Sequence, residues 1–157
     1  MFESNISLDE FKSGAGKQLD ASKWLLIDQQ RINDFADATN DHQFIHVDAE
    51  RAAATPFGGT IAHGFLTLSL LSDLISESMM KPAGTQMVIN YGSDKVRFLQ
   101  PVKVDSRIRT KATVKEVSQK RAGQYLVRTA VVVEIENDTH PALIADILSL
   151  YMIKEIT

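Results

Sequence analysis

No cysteine occurs in the chain. Disulfides, thiolate metal sites and a cysteine nucleophile are therefore excluded. A cysteine-free chain suits a reducing compartment, and a cytoplasmic protein is expected. The opening MFESNISLDEF has no basic stretch followed by an apolar run, so no signal peptide is expected. Long apolar runs are missing too. The longest lies near Phe65 to Leu71, far short of the ~20 residues of a membrane helix. There is no surplus of positive charge, because 17 Lys and Arg face 20 Asp and Glu for a net charge of -3. That balance argues against nucleic acid as a partner. No repeat or low-complexity linker divides the chain. What is present, 157 residues of which 44% are hydrophobic, suffices for one core, and a single domain over 1–157 is expected.

Local signals give the organisation. Ser7 and Glu10 have capping-box spacing before Leu8 and Phe11, so a short helix should start there and stop at Gly14 and Gly16. GAGKQ lacks the spacing of a phosphate loop. Asp28 can cap a second helix with Ile32, Phe35 and Ala36 on one face, ending at Asn40 and Asp41. One helical turn after Asp48 is expected, then a loop marked by Pro56, Gly58 and Gly59. GFLTLSLLSDLISESMM, from Gly64 to Met80, is apolar over most of its circumference and reads as one long buried helix. Thr67, Ser69 and Ser72 are its small polar positions. In SRIRTKATVKEV, Arg107, Arg109, Lys111 and Lys115 alternate with Ile108, Ala112 and Val114, the period of a half-buried strand. QYLVRTAVVVEIEN and ALIADILSLYMI are rich in β-branched residues, with turn residues NDTHP between them. Helices followed by an antiparallel meander give an α+β layer architecture.

Three clusters offer chemistry. In NDHQFIH, Asp41 and His46 stand five residues apart, and an acid and an imidazole at this spacing can converge on one water. The plainer alternative has Asp41 capping a turn and His46 packed as a satisfied histidine. His42 and His46 are four apart, but HExxH is absent and no clear third ligand follows, so no metal is expected. GGTIAHG comes next. If Gly64 opens a helix, its free N–H groups can hold a developing oxyanion. Alternatively the glycines only permit a tight approach, and His63 is a packing residue. In NYGSDKVRFLQPV, Lys95 and Arg97 are two apart and should share a strand face. They can meet a phosphate or simply solvate a sheet edge.

Together these segments form a recognisable pattern. FADATNDHQFIHVDAERAAATPFGGTIAHGFLTLSLL resembles the signature region of the MaoC-like dehydratases, or R-specific enoyl-CoA hydratases, especially the nodulation protein N branch. The likeness runs from about Trp24 to Val102. Its joint pattern is D-x4-H, then GG-x-IAHG, then Ser69 six residues past His63.

The resemblance implies a hot-dog fold, an antiparallel sheet wrapped around one long helix, and a homodimer or dimer of dimers. It implies Asp41 and His46 as the catalytic pair, Ser69 as support for Asp41, and the Gly64 amide as the oxyanion site. Gln43, Phe44, His63, Lys95 and Arg97 are candidate substrate contacts. The family pattern G-D-x-N-P-x-H is altered here, with Asn40, Gln43 and Phe44 at the glycine, asparagine and proline positions. Asn40 tolerates the left-handed conformation a glycine would use, whereas Phe44 adds bulk. The implied reaction is reversible hydration of a trans-2-enoyl thioester to the (R)-3-hydroxyacyl thioester, with no cofactor. The thioester is carried by CoA or by an acyl-carrier protein. Alternatives are a carrier-protein dehydratase, a hot-dog thioesterase and a non-catalytic acyl-thioester binding module.

Overall fold

The computed structural model describes residues 6–154. Helix α1 (Leu8–Lys12) begins with the expected box: the Ser7 hydroxyl accepts from the Glu10 N–H at 3.2 Å, and the Glu10 carboxylate accepts from the Ser7 N–H at 2.8 Å. Two short strands follow, β1 (Gln18–Leu19) and β2 (Leu25–Ile27). Helix α2 (Gln29–Thr39) starts where the Asp28 carboxylate accepts the Arg31 N–H at 2.9 Å. It buries Ile32 and Ala36 and stops at Asn40, whose φ of 58° is the left-handed turn that asparagine tolerates. Helix α3 (Phe44–Val47) and helix α4 (Ala49–Ala53) follow, the latter capped by Asp48.

The long helix expected from Gly64 to Met80 is broken. It consists of α5 (Gly64–Ser69) and α6 (Leu71–Leu74), then turns. The Ser69 hydroxyl donates to the Phe65 carbonyl at 2.7 Å, a back-bond that competes with the helix ladder and bends it. Leu70, with ψ of -15°, marks the break. Burial is also one-sided. Leu66, Thr67, Leu71 and Leu74 are buried, whereas Phe65 is 67% exposed.

Strands β3 (Thr85–Phe98), β4 (Ser106–Arg121), β5 (Gln124–Ile135) and β6 (Leu143–Ile153) supply the large sheet. Its order is β1-β4-β5-β6-β3, with β2 also paired to β4, and every pairing is antiparallel. The meander β4-β5-β6 is the expected one, and β3 crosses over to the far edge. Strict alternation in β5 turns Tyr125, Val127, Val131 and Val133 inward. Helices α5 and α6 press Leu66, Leu71 and Leu74 onto Ile108, Val131, Val133 and Leu143. This is the hot-dog arrangement. A second cluster closes one end, where Phe11 meets Tyr125 edge-on at 5.6 Å and Tyr151 at 5.0 Å.

The β3 strand carries a bulge where Lys95 takes φ of 53°, with the register shifting between Asp94 and Arg97. A bulge inserts one residue and breaks the two-residue period. The shared strand face expected for Lys95 and Arg97 therefore does not follow from their spacing.

Candidate active site

The candidate site lies where the 41–46 segment meets the 60–64 segment. Helix α2 ends at Asn40, and its left-handed turn throws Asp41 outward. The Asp41 carboxylate accepts the Gln43 N–H at 3.4 Å, a local Asx-type contact. His46 sits on the single turn of α3 and is 6% exposed. The two segments are laced together, since the Ile61 N–H donates to the Ile45 carbonyl at 3.0 Å.

His46 has a defined protonation pattern. Its Nδ1 lies 2.7 Å from the Ile61 carbonyl oxygen. A carbonyl only accepts, so Nδ1 carries the hydrogen and Nε2 presents the lone pair. Burial holds the imidazole below its ordinary pKa. The neighbouring His63 acts in the same direction, while the Ile61 carbonyl and Asp41 oppose it.

His63 lies behind His46. It is 3% exposed, and its ring stacks on His46 with centroids 3.7 Å apart and planes at 23°. Its Nε2 is 2.9 Å from the Asp41 carbonyl oxygen. By the same reasoning Nε2 donates.

A carboxylate oxygen of Asp41 and ring nitrogens of His46 and His63 lie within 4.8 Å of one another. Among the described residues no direct carboxylate–imidazole hydrogen bond joins Asp41 to His46. A single water spans such a gap. The trio does not suit one metal ion. Stacked rings hold their lone pairs in nearly parallel planes about 3.7 Å apart, whereas Zn–N bonds of ~2 Å require both nitrogens to point at one centre.

A cavity of about 340 Å³ opens beside His46. Gly64, Phe65 and Thr67 form one wall, and Phe98, Pro101 and Val102 face them. A side chain at Gly64 would collide with the Phe98 ring at 2.9 Å, so glycine permits the backbone to reach the cavity. The helix behind Gly64 has six residues. Any pull on an anion here therefore comes from the free first-turn N–H groups, not from a long macrodipole.

Not every expected residue converges. Ser69 is exposed, bonds the Phe65 carbonyl, and lines a separate hollow with Ser72, Asn90 and Tyr91. Within the chain it is not brought to Asp41. Gln43 is exposed, and Phe44 packs under the Arg51 guanidinium at 4.3 Å. Neither of them lines the cavity, nor do Lys95 and Arg97. Lys95 lies 3.8 Å from the Asp146 carboxylate, and Arg97 donates to the Val96 carbonyl at 2.7 Å.

One residue without a sequence signal completes the frame. Gln29 donates to the His46 carbonyl at 2.8 Å and accepts from the buried Thr60 hydroxyl at 2.6 Å. Its place just after a helix cap gave no hint of this.

Several known proteins are similar to this chain. The family model for the MaoC-like domain matches residues 10–137. Nodulation protein N of Rhizobium meliloti is 50% identical over 146 residues, covering 92% of this chain and 91% of that protein. The 3-hydroxyacyl-thioester dehydratase Z of Mycobacterium tuberculosis is 44% identical over 146 residues, covering 93% and 96%. Among solved structures, the unliganded R-hydratase PhaJ1 of Pseudomonas aeruginosa superposes with a TM-score of 0.69 at 27% identity, covering 90% of this chain and 83% of that one. With the family model spanning most of its length and two such relatives matched nearly end to end, the chain belongs to the MaoC-like dehydratase family.

Proposed function

We propose that this protein is a hydro-lyase that reversibly hydrates trans-2-enoyl thioesters to (R)-3-hydroxyacyl thioesters. The observation that carries the reading is the Asp41 carboxylate within one water's reach of the His46 ring, with His46 on the wall of a cavity that also exposes Gly64. The relatives named as a thioester dehydratase and an R-hydratase support the same chemistry.

In the hydration direction, water held by Asp41 and His46 forms its bond to C3. Its proton passes to the pair, where the Nε2 lone pair is the free acceptor. The C2–C3 π electrons move onto the thioester oxygen as an enolate. The Gly64 amide region is the proposed donor to that oxygen. Collapse of the enolate then takes a proton at C2 from the same pair, which acts as a unit. The Ile61 carbonyl steadies the imidazolium through the Nδ1–H bond. The thioester itself activates C3, so the steps need no cofactor.

The proposed assembly is a homodimer, alone or paired again. It would cover β3, the sheet edge where Met87, Ile89 and Tyr91 are exposed. The carrier is CoA or an acyl-carrier protein. Lys95 and Arg97 are the proposed phosphate contacts, and Gln43 and Phe44 sit in the altered segment beside the pair. Among the described residues no helix is long and apolar enough to cross a membrane, and the cysteine-free sequence supports the cytoplasm as the setting.

Incubation with crotonyl-CoA tests the reading. Loss of enoyl absorbance without free thiol is expected. Release of thiol would make the protein a thioesterase, and binding without turnover would make it a thioester-binding module.

A further inference from the structure

We infer that His63 is a positioning residue for the Asp41–His46 pair, acting through the Asp41 main chain and the face of the His46 ring rather than by touching substrate. The inference rests on the hydratase reading above. His63 is 3% exposed and is absent from the cavity wall that holds His46 and Gly64. Among the described residues, two of its surfaces have functional neighbours. Its Nε2 donates to the Asp41 carbonyl at 2.9 Å, across 22 residues of sequence. Its ring lies flat against His46 at 3.7 Å. Phe35 packs against it with centroids 5.0 Å apart, fixing it from the α2 side.

The reason for such a bracket is local. Asp41 follows a left-handed residue at the end of α2 and is exposed, and its carboxylate has only the long 3.4 Å contact to Gln43. Among the described residues the carboxylate has no other hydrogen bond to fix where it stands. A donor on the Asp41 carbonyl fixes the Cα, and with it the arc the carboxylate can sweep. The stack fixes the plane of His46, whose rotation in that plane is already set by the Ile61 carbonyl. The remaining nitrogen of His63, Nδ1, is buried without a hydrogen-bond partner. An unpaired buried nitrogen costs stability, and its presence fits a ring held for what Nε2 and the ring face do.

The two contacts can be separated. His63→Gln keeps an N–H near the Nε2 position but loses the ring. His63→Phe keeps a flat ring but loses the donor. We expect His63→Phe to lower kcat for crotonyl-CoA by about 10- to 100-fold with KM changed less than about threefold, the signature of lost positioning. His63→Gln should recover a substantial part of that loss. A raised KM at unchanged kcat would make His63 a substrate contact and overturn the inference. Wild-type kcat in a folded His63→Phe protein would overturn it as well. A measurement on the unaltered protein needs no variant to fold and no activity. Nitrogen-15 NMR of the labelled imidazoles should show the Nε2–H tautomer for His63 and the Nδ1–H tautomer for His46. An Nδ1–H tautomer at His63 would remove the bond to Asp41 and with it the inference. If the wild-type protein shows no hydration while the tautomers are as expected, the hydratase reading fails and the bracket stands as geometry alone.

Discussion

The imidazoles of His46 and His63 stack 3.7 Å apart, each tied to a main-chain carbonyl of the other's segment, Ile61 for His46 and Asp41 for His63. The 41–46 and 60–64 segments are thus cross-bolted through two rings of opposite tautomer. The arrangement leaves one basic lone pair, Nε2 of His46, beside the cavity.

The first prediction concerns pH. Burial and the neighbouring His63 hold His46 below the ordinary imidazole value of 6.5. The neutral ring is the form with a free lone pair. As pH falls, the decline in kcat/KM should therefore have its midpoint below 6.5. Stability has the matching sign. The unfolded chain takes up this proton more readily than the folded one, so His46 costs stability as pH drops from about 6.5 towards the folded pKa, and the cost is absent above that range. An acid limb centred at or above 6.5 in a kcat/KM profile would contradict this placement.

Gln29 yields the second prediction. One amide satisfies the His46 carbonyl, the Asn33 side chain and the hydroxyl of Thr60, which is 2% exposed. Gln29→Leu leaves two of these groups buried without partners. The expected cost is about 1–3 kcal/mol in urea unfolding. A fall in kcat should accompany it, because the α3 turn that carries His46 loses its tether. A variant as stable as the parent would show that water replaces the amide.

What the sequence disclosed was what short range decides. The caps at Ser7, Asp28 and Asp48 are side chains answering N–H groups three residues on, and Asn40 needs only its own φ. The alternation in β4 and the β-branched richness of β5 were equally legible. The Asp41, His46 and IAHG pattern was legible only as a joint resemblance, since each part alone admits a plainer role. Other features depend on distant partners. Gln29 meets Thr60 across 31 residues, and the β3 bulge at Lys95 is set by pairing with β6, where Asp146 faces it. The break at Leu70 accompanies the Ser69 back-bond to the Phe65 carbonyl, a rotamer choice that the residue type alone does not fix.

The third prediction concerns assembly. Among the described residues β3 pairs only with β6, and its outer edge carries Met87 at 49% and Ile89 at 43% exposure. A second copy on that edge would pair the open backbone and cover these side chains. Light scattering at micromolar concentration should give a dimer mass. Met87→Glu with Ile89→Glu should shift it towards monomer, since like charges would face each other across a two-fold edge. A wild-type monomer would refute the assembly proposed here.

The last prediction tests the pair itself. Asp41→Asn keeps the size of the side chain and its acceptor to the Gln43 N–H, but removes the carboxylate that shares the water. His46→Gln removes the Nε2 lone pair. Each should lower kcat by at least ~10² if both groups act on one water. The double variant should fall little further than the worse single one, because partners in one proton relay lose their function together. Stability separates this from a packing role. Asp41 is exposed, so Asp41→Asn should leave the melting temperature nearly unchanged while activity collapses. His46 is buried and holds the Ile61 carbonyl, so His46→Gln should lose some stability as well as rate. Hydration rates and thermal melts on the same preparations decide the matter. A folded Asp41→Asn protein turning over at the parental rate would show that the carboxylate only shapes the turn after α2, and the water between Asp41 and His46 would have no part in the chemistry.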